Sequence, residues 1–138
     1  MGNRGNIVTI EGAQSIVFYS HYLGDLMPKI LQTSLKRYKE KGGDKNFVNS
    51  HYIRTFICGE LMNISNDRLI NCGNLKELIQ YPLTFSIGVD IPDNDNPIVE
   101  INFNTKTVRL HNSEIFYSFE RFIDLNLEES LYYERNNG

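Results

Sequence analysis

The stretch NIVTIEGAQSIVFYSHYLGD, residues 6–25, decides the fold class because it holds two apolar strands and the approach to a helix. β-Branched and aromatic residues fill residues 6–10 and 15–19. Between these runs, Gly12 favours a tight reversal of the chain. The pattern therefore predicts a β-hairpin that leads directly into a helix.

Two helices are predicted after the hairpin, because apolar residues recur there at helical spacing. The first is expected over about residues 26–41, with Asp25 as its N-cap and Gly42-Gly43 at its end. The second is expected over about residues 47–62. The asparagine-rich stretch 63–82 is expected to be mostly loop.

Three further strands are predicted where apolar and polar residues alternate. The alternation is clearest over residues 84–91 and resumes over 99–103, after the turn-rich stretch 92–97. It returns over 108–110, after a turn near Asn104. These strands are expected to form an antiparallel meander with one apolar and one polar face.

The combined prediction is an α+β fold, with about five strands in an antiparallel sheet and two to three helices packed on one face. The third helix is expected to begin at Asn112 or Ser113. A chain of 138 residues fits one domain, expected over residues 1–126 and followed by a polar tail at 127–138. The polar sheet face is either solvated or a surface for a ligand or a second subunit, and it is expected to carry Ser86, Gly88, Asp90, Glu100, Asn102, Thr107 and Arg109.

The composition argues against several classes of function. With 14 Lys+Arg against 17 Asp+Glu, the net charge of −3 argues against binding to duplex nucleic acid. Residues 29–45 are nevertheless basic, as either a solvated helix end or a contact for a partner. The chain has no run of about 18 uncharged apolar residues and no signal-peptide core, which predicts a cytoplasmic protein without a membrane partner. Cys58 and Cys72 lack C-x-x-C spacing, so a zinc site is not expected and a disulfide cannot be inferred.

The end of the second strand concentrates groups that could do chemistry. His21 lies near Asp25 in the sequence and could act as an oriented base, while Tyr19 or Tyr22 could stack on a ligand ring. Strand ends are suited to such sites because a rigid scaffold holds the side chains there. The alternative is a structural corner in which His21 bonds a backbone carbonyl and the tyrosines cover the sheet edge.

Two arginines are candidates for binding an anion. Arg4 precedes the first strand and Arg54 lies within the second helix, and a guanidinium binds phosphate or carboxylate in a bidentate manner. The alternative is a structural ion pair with Glu11, Asp90 or Glu100.

The acidic stretch from Asp90 to Asp95 resembles a calcium loop only in part. It lacks the glycine at the sixth position, and Ile101 stands where the bidentate glutamate would be. A loop stabilised by Asx turns is the better interpretation. The sequence also contains no established catalytic motif, so no catalytic residue, metal or cofactor is expected.

Four stretches of the sequence carry a resemblance to a known group. Residues 2–8 read GNRGNIV and residues 17–24 read VFYSHYLG. They resemble small phage and prophage proteins in which N-R-x-x-V/I is followed by Y-x-Y-x-H-W-G-G before a helix. The resemblance continues in YIRTFIC at residues 52–58 and in GVDIPDNDNP at residues 88–97. Tyr22 stands where the group usually has tryptophan, and the resemblance implies one shared site.

That implied site would contain Arg4, Tyr19, His21 and Arg54. Small phage proteins of this size often counter bacterial immunity by enclosing a nucleotide-derived signal, which implies sequestration of a cyclic dinucleotide or a cyclic ADP-ribose isomer by a homo-oligomer. The full set of candidate ligand-binding residues is Arg4, Asn6, Phe18, Tyr19, His21, Tyr22, Arg54, Asp90 and Arg109.

Two other functions remain open at this stage. One is a nucleotide-processing enzyme in which His21 is the acid or base and Asp25 or Asp90 is its partner. The other is a protein-interaction module that inhibits a host or defence protein through the polar sheet face or the basic helix end.

Overall fold

The computed structural model describes residues 3–43, 47, 49–71, 85–111 and 113–127. Within these ranges it contains a six-stranded sheet and three α-helices, which confirms the predicted α+β class. None of the described helices is both long enough and apolar enough to cross a membrane.

The first two strands form the predicted hairpin. β1 (Gly5–Glu11) pairs antiparallel with β2 (Gln14–Ser20), and Asn6 lies opposite Tyr19. The reversal contains Gly12 at a φ of 60°, a backbone conformation that glycine adopts without a steric cost.

The first helix, α1 (Met27–Glu40), follows a 3₁₀ turn at Gly24–Leu26. Leu26 occupies the N-cap position in a helical conformation, so the prediction of Asp25 as N-cap is wrong. The reason is the 3₁₀ turn, which carries the chain into α1 without an extended capping residue. The C-terminus lies where predicted: Gly42 has a φ of 89°, and the Gly43 amide donates to the Tyr38 carbonyl at 2.8 Å.

The second helix, α2 (Ser50–Asn71), begins later and ends later than predicted. Phe47 has a φ of 52° and cannot be helical, and Asn49 caps the helix by accepting a hydrogen bond from the Tyr52 amide at 3.2 Å. The prediction of a loop from residue 63 is wrong as far as Asn71, because Ile64 continues the apolar stripe into the core. Residues 72–82 of that predicted loop lie outside the described residues.

The remaining strands are β3 (Ser86–Gly88), β4 (Val99–Asn102), β5 (Thr107–Leu110) and β6 (Tyr117–Ser118). The order across the sheet is β3-β2-β1-β4-β5-β6. The β4–β5 hairpin is confirmed, whereas the predicted meander of three strands is wrong because β3 pairs with β2 and lies three positions away from β4. The connection between β3 and β4 is too long for a hairpin turn, which is commonly two to five residues. β1 and β4 run parallel, so the sheet is mixed rather than antiparallel throughout.

The third helix, α3 (Phe119–Ile123), is shorter than predicted. Ser118 is its N-cap and accepts a hydrogen bond from the Arg121 amide. The predicted start at Asn112 or Ser113 is wrong, because Tyr117–Ser118 instead pairs with β5 as the last strand of the sheet. Asn112 itself lies outside the described residues.

The register of the sheet separates a core face from an open face. Residues of the core face pack with the three helices in one apolar cluster, which includes Ile7, Phe18, Val99, Ile101 and Val108. Asn6, Val8 and Tyr19 alternate with these residues and therefore lie on the opposite face, which is called the open face here although Asn6 and Val8 are themselves buried. Leu127, which begins the predicted tail, is buried in the same cluster, and residues 128–138 lie outside the described residues.

Candidate functional site

Four of the predicted site residues meet at one corner of the open face, called the N-terminal corner here. It consists of Arg4 and Asn6 at the start of β1, Tyr19 and His21 at the end of β2, and the loop 93–96 that lies against them. Asn6 and Tyr19 are direct partners across the hairpin, which places them on one face. The corner thus contains Arg4, Tyr19 and His21, three of the four residues of the site that the resemblance implies, but not Arg54.

Arg4 is bound by two carboxylates of the loop. Its Nε atom lies 2.8 Å from Asp95 Oδ2, and its NH1 atom forms an ion pair with Asp93. The Arg4 backbone amide also donates to Asp95 Oδ2 at 3.1 Å. These hydrogen bonds lower the pKa of the Asp95 carboxyl below its ordinary value. Because two negative charges already surround the guanidinium, the corner is a poor site for a phosphate.

Asn6 and Asn96 fasten the same loop to the start of β1. The buried Asn6 donates from Nδ2 to the Asp93 carbonyl at 2.7 Å and to Asn94 Oδ1 at 3.0 Å. Asn96 Nδ2 donates to the Arg4 carbonyl at 2.8 Å. These hydrogen bonds join residues about ninety positions apart in the chain, and they hold the loop 93–96 against the start of β1.

The geometry around His21 does not support the predicted acid–base pair. Its Nδ1 atom lies 3.1 Å from the Tyr19 hydroxyl, and its ring meets Tyr22 edge-on with centroids 4.6 Å apart. Asp25 instead accepts a hydrogen bond from Nδ2 of the Asn3 side chain. Burial raises the pKa of the Tyr19 phenol, so this hydroxyl stays protonated at neutral pH. Among the described residues, the hydrogen-bond partner of the His21 ring is thus a phenol rather than a carboxylate.

Two of the predicted ligand residues lie elsewhere in the fold. Phe18 is 1% exposed within the core and is not available to stack on a ligand. Arg54 donates from Nε to Thr9 Oγ1 at 2.9 Å, and its guanidinium lies 5.4 Å from the centre of the Phe103 ring. Thr9 belongs to the core face, so Arg54 and Arg4 lie on opposite faces of the sheet. The single site implied by the resemblance is therefore divided by the sheet.

Arg109 and Asp90 do not join the N-terminal corner. Arg109 lies on the open face of β5 with its Nε atom 3.7 Å from Glu100 Oε2 and its guanidinium over the Phe116 ring. His111 Nε2 contacts the same glutamate at 3.2 Å. Asp90 is exposed beyond the end of β3. Arg109 thus has an ion-pair partner in Glu100. Arg54 pairs with Glu11 at 3.8 Å, which is one of the structural ion pairs that the alternative interpretation predicted.

Sequence reasoning missed a cleft between the end of α1 and the start of α2, called the aromatic cleft here. Its volume is about 420 Å³, and its described lining consists of Tyr38, Lys41, Gly42, Gly43, Asn49, Tyr52 and Phe56. Within the described ranges no carboxylate pairs with Lys41. The signal in the sequence was the pair of aromatic residues four positions apart, Tyr52 and Phe56, which share one helix face.

A second depression has a volume of about 550 Å³ and lies beside the β1–β2 turn. Its described lining is Ala13, Gln14, Ser15, Ile16 and Val89, which includes neither a charged group nor an aromatic ring. The aromatic cleft is therefore the better candidate for a specific ligand, because it combines apolar rings with a few polar groups.

Asp95→Asn should reduce stability at neutral pH but not in acid. A carboxyl whose pKa is lowered by folding contributes stability above its unfolded pKa of about 3.9, and that stability is lost as the pH falls through the folded pKa. The melting temperatures of the wild type and of Asp95→Asn should therefore converge below about pH 4. Asp90→Asn, at an exposed carboxylate, is the control and should follow the wild type at every pH. A constant difference between wild type and Asp95→Asn down to the lowest pH would contradict this role of the Arg4 pair.

Comparisons with protein-family models, with curated proteins and with solved structures found no match to this chain. A function must therefore be inferred from the chemistry of its own residues. Among the described residues, two places offer such chemistry. One is the N-terminal corner, where Arg4 is already paired with two carboxylates, and the other is the aromatic cleft, where a lysine and three rings lie together.

Proposed function

We propose that the protein binds a nucleotide-derived small molecule in the aromatic cleft and holds it without cleaving it. The observation that carries the proposal is the lining of the cleft, in which three aromatic rings lie beside one lysine. Its volume of about 420 Å³ falls within the range of about 300–1,000 Å³ usual for small-molecule sites.

The rings and polar groups of the cleft match the parts of a nucleotide. Tyr52 is 61% exposed, so its ring can stack on a base. Lys41 can meet a phosphate with three N–H donors. Asn49 uses its side-chain oxygen to cap α2, which leaves its amide nitrogen to donate to a ligand.

The electrostatics of the cleft favour an anion through Lys41. The N-terminus of α2 carries a partial positive charge, while the C-terminus of α1 carries a partial negative charge, and both ends border the cleft. These two contributions oppose each other, so Lys41 decides the sign of the charge among the described lining residues. The described lining contains no carboxylate, in contrast to the N-terminal corner with Asp93 and Asp95.

The same lining favours binding of the ligand without its cleavage. Its described residues include no histidine, no carboxylate and no thiol, which are the usual acids, bases and nucleophiles of hydrolytic sites. The resemblance to small phage proteins supports a signal of the immune response as the ligand, and sequestration as the way in which it is removed.

A protein-interaction module is the second candidate, because one edge of the sheet exposes apolar side chains. β3 is the outermost strand on its side, and Ile87, Val89 and Ile91 in and after it are all exposed. Exposed edge strands can pair with another chain. This alternative predicts no stabilisation by any small molecule.

A thermal-shift screen against nucleotides and cyclic nucleotide signals tests the proposal. A ligand at about a hundredfold its dissociation constant should contribute about 2.7 kcal/mol to the native state, which raises the melting temperature by several degrees. Ligand recovered after heat denaturation should be intact, because the described lining contains no histidine, carboxylate or thiol. Recovery of a cleaved product would contradict holding, and the absence of any shift would favour the interaction module.

Matched lysine variants locate the site in the same screen. Lys41→Gln should abolish the shift, because it removes the cation of the described lining. Lys36→Gln is the control, since it removes the same charge from the same helix at a residue outside the lining. Equal loss of the shift in both variants would mean that general charge, rather than the cleft, determines binding.

A further inference from the structure

We infer that the outward side of α2 is the surface through which two copies of this chain form a symmetric dimer. The residues of this surface, called the neutral face here, are His51, Tyr52, Thr55, Gly59, Met62 and Asn63. At about 100° per residue they fall within an arc of about 120° on one side of the helix, with Gly59 near its middle. The inference concerns a protein partner and does not rest on the proposed ligand of the aromatic cleft.

The neutral face differs from the exposed sides of the other two helices because it carries no lysine, arginine, aspartate or glutamate. The charged residues between Ser50 and Asn63 are turned inward: Arg54 bonds Thr9 on β1, and Glu60 pairs with Arg37 on α1 at 2.6 Å. The exposed residues of α1 and α3 are instead all charged, namely Lys29, Arg37, Lys39, Glu40, Glu120 and Arg121. Depletion of charge is typical of the centre of a protein–protein interface, so the neutral face is suited to contact with another chain.

Gly59 lies in the interior of α2, where a glycine is less favourable than an alanine. Packing among the described residues does not require it, because a Cβ atom built on Gly59 would meet none of their atoms within 4 Å. The glycine leaves a gap about one turn away from both Thr55 and Met62. Such a gap allows the backbone of a second helix to approach closely, since the distance between packed helices depends on the side chains at their contact.

Apolar surface surrounds this gap on the neutral face. Met62 is 53% exposed and Tyr52 is 61% exposed, so a helix that crosses at Gly59 would bury part of both side chains. Tyr52 lies about two turns before Gly59 and is therefore at the edge of the contact rather than at its centre. It also lines the aromatic cleft, so the cleft lies beside the proposed interface.

The charge of the neutral face favours a second copy of the chain over a different protein. In a two-fold symmetric contact the same surface patch meets itself, so a charged face would repel its copy and a neutral face does not. The chain has a net charge of −3, which disfavours self-association through its charged surfaces. A partner of different sequence is instead usually selected by complementary charges, which the residues of this face do not offer.

Sedimentation velocity of the full chain at a series of micromolar concentrations tests the dimer. The wild type should approach twice the mass of one chain as the concentration rises, because an interface built around one helix pair is at the lower end of interface sizes. Met62→Glu brings two like charges together at the contact and should weaken dimerisation by about tenfold or more. A wild type that stays monomeric at every concentration would overturn the inference and leave the face for a partner of another sequence.

Val89→Glu is the matched control for Met62→Glu. It adds the same charge at an exposed apolar residue, 72% exposed beside the edge strand β3, and it should dimerise like the wild type. Weakening by Val89→Glu that equals or exceeds the weakening by Met62→Glu would also overturn the inference. Net charge or the edge of the sheet, rather than the neutral face, would then determine association.

Gly59→Leu tests the close approach of the two helices. The added side chain fills the gap and keeps the helices apart, so dimerisation should weaken by about tenfold or more. The fold should be preserved, because leucine favours a helix more than glycine does and the described residues leave space for its Cβ atom. Circular dichroism and the melting temperature of dilute, monomeric protein measure this. A dimer as tight as that of the wild type, or a loss of the fold, would overturn the assignment of the contact to Gly59.

Discussion

Phe18→Ala should lower the free energy of unfolding by about 3–5 kcal/mol, the usual cost of removing a buried phenylalanine ring. Phe18 lies between Ile7 on β1 and Ile87 on β3, and its ring faces the helices in the core cluster. Loss of the ring would leave a cavity that the packed neighbours can fill only in part. Urea denaturation followed by circular dichroism measures the change.

Phe116→Ala is the matched control for Phe18. The same atoms are removed from a ring that is 55% exposed, so the loss should stay below about 1 kcal/mol. If Phe18→Ala fails to fold, Phe18→Leu removes less of the ring and should cost about 1–2 kcal/mol. Equal small losses at both phenylalanines would contradict the core position of Phe18 and restore it as a candidate ligand residue.

Arg54→Ala should lower the free energy of unfolding by about 1.5–3 kcal/mol, the range for a hydrogen bond to a charged group. The Arg54 side chain is 11% exposed, and it bonds Thr9 while its guanidinium covers Phe103. The variant leaves the Thr9 hydroxyl without this donor and uncovers the ring. Arg54→Lys keeps the charge but not the planar group, so an intermediate loss is expected.

Arg121→Ala is the control for Arg54, because it removes an exposed arginine whose loss should change stability by no more than about 0.5 kcal/mol. Arg54→Ala should also bind the ligand of the aromatic cleft as the wild type does, since Arg54 is not in the described lining. Unchanged stability together with lost ligand binding would contradict the structural role and favour the shared site implied by the resemblance.

The N-terminal corner shows how far local sequence leads toward a site. Tyr19, His21 and Tyr22 follow one another at the end of β2, so their proximity could be expected from the hairpin alone. The residues that surround Arg4 and determine its chemistry could not be predicted from the hairpin. Arg4 meets Asp93 and Asp95 only because the β3–β4 connection returns over the start of β1, and these contacts turn a candidate phosphate ligand into a neutralised structural cation.

The aromatic cleft was less accessible to sequence reasoning. Tyr38 and Lys41 lie at the end of one helix, and Tyr52 and Phe56 lie in the first turns of the next. Each helix was predicted from the spacing of its own apolar residues, but this spacing does not determine how the two helices pack against each other. The side chains meet because both helices bury their apolar faces on the same side of the sheet.

The sequence by itself determined the elements whose cause is local. Alternating β-branched residues and Gly12 specify the β1–β2 hairpin, and helical spacing together with Gly42 and Gly43 specifies the extent of α1. Only the tertiary structure decided the order of the strands, the parallel pairing of β1 with β4, and the placement of β3 at the edge. The physical reason is that alternation gives a strand two different faces but leaves its hydrogen-bonding edges equivalent. The choice of neighbour therefore depends on how the whole chain buries its apolar surface.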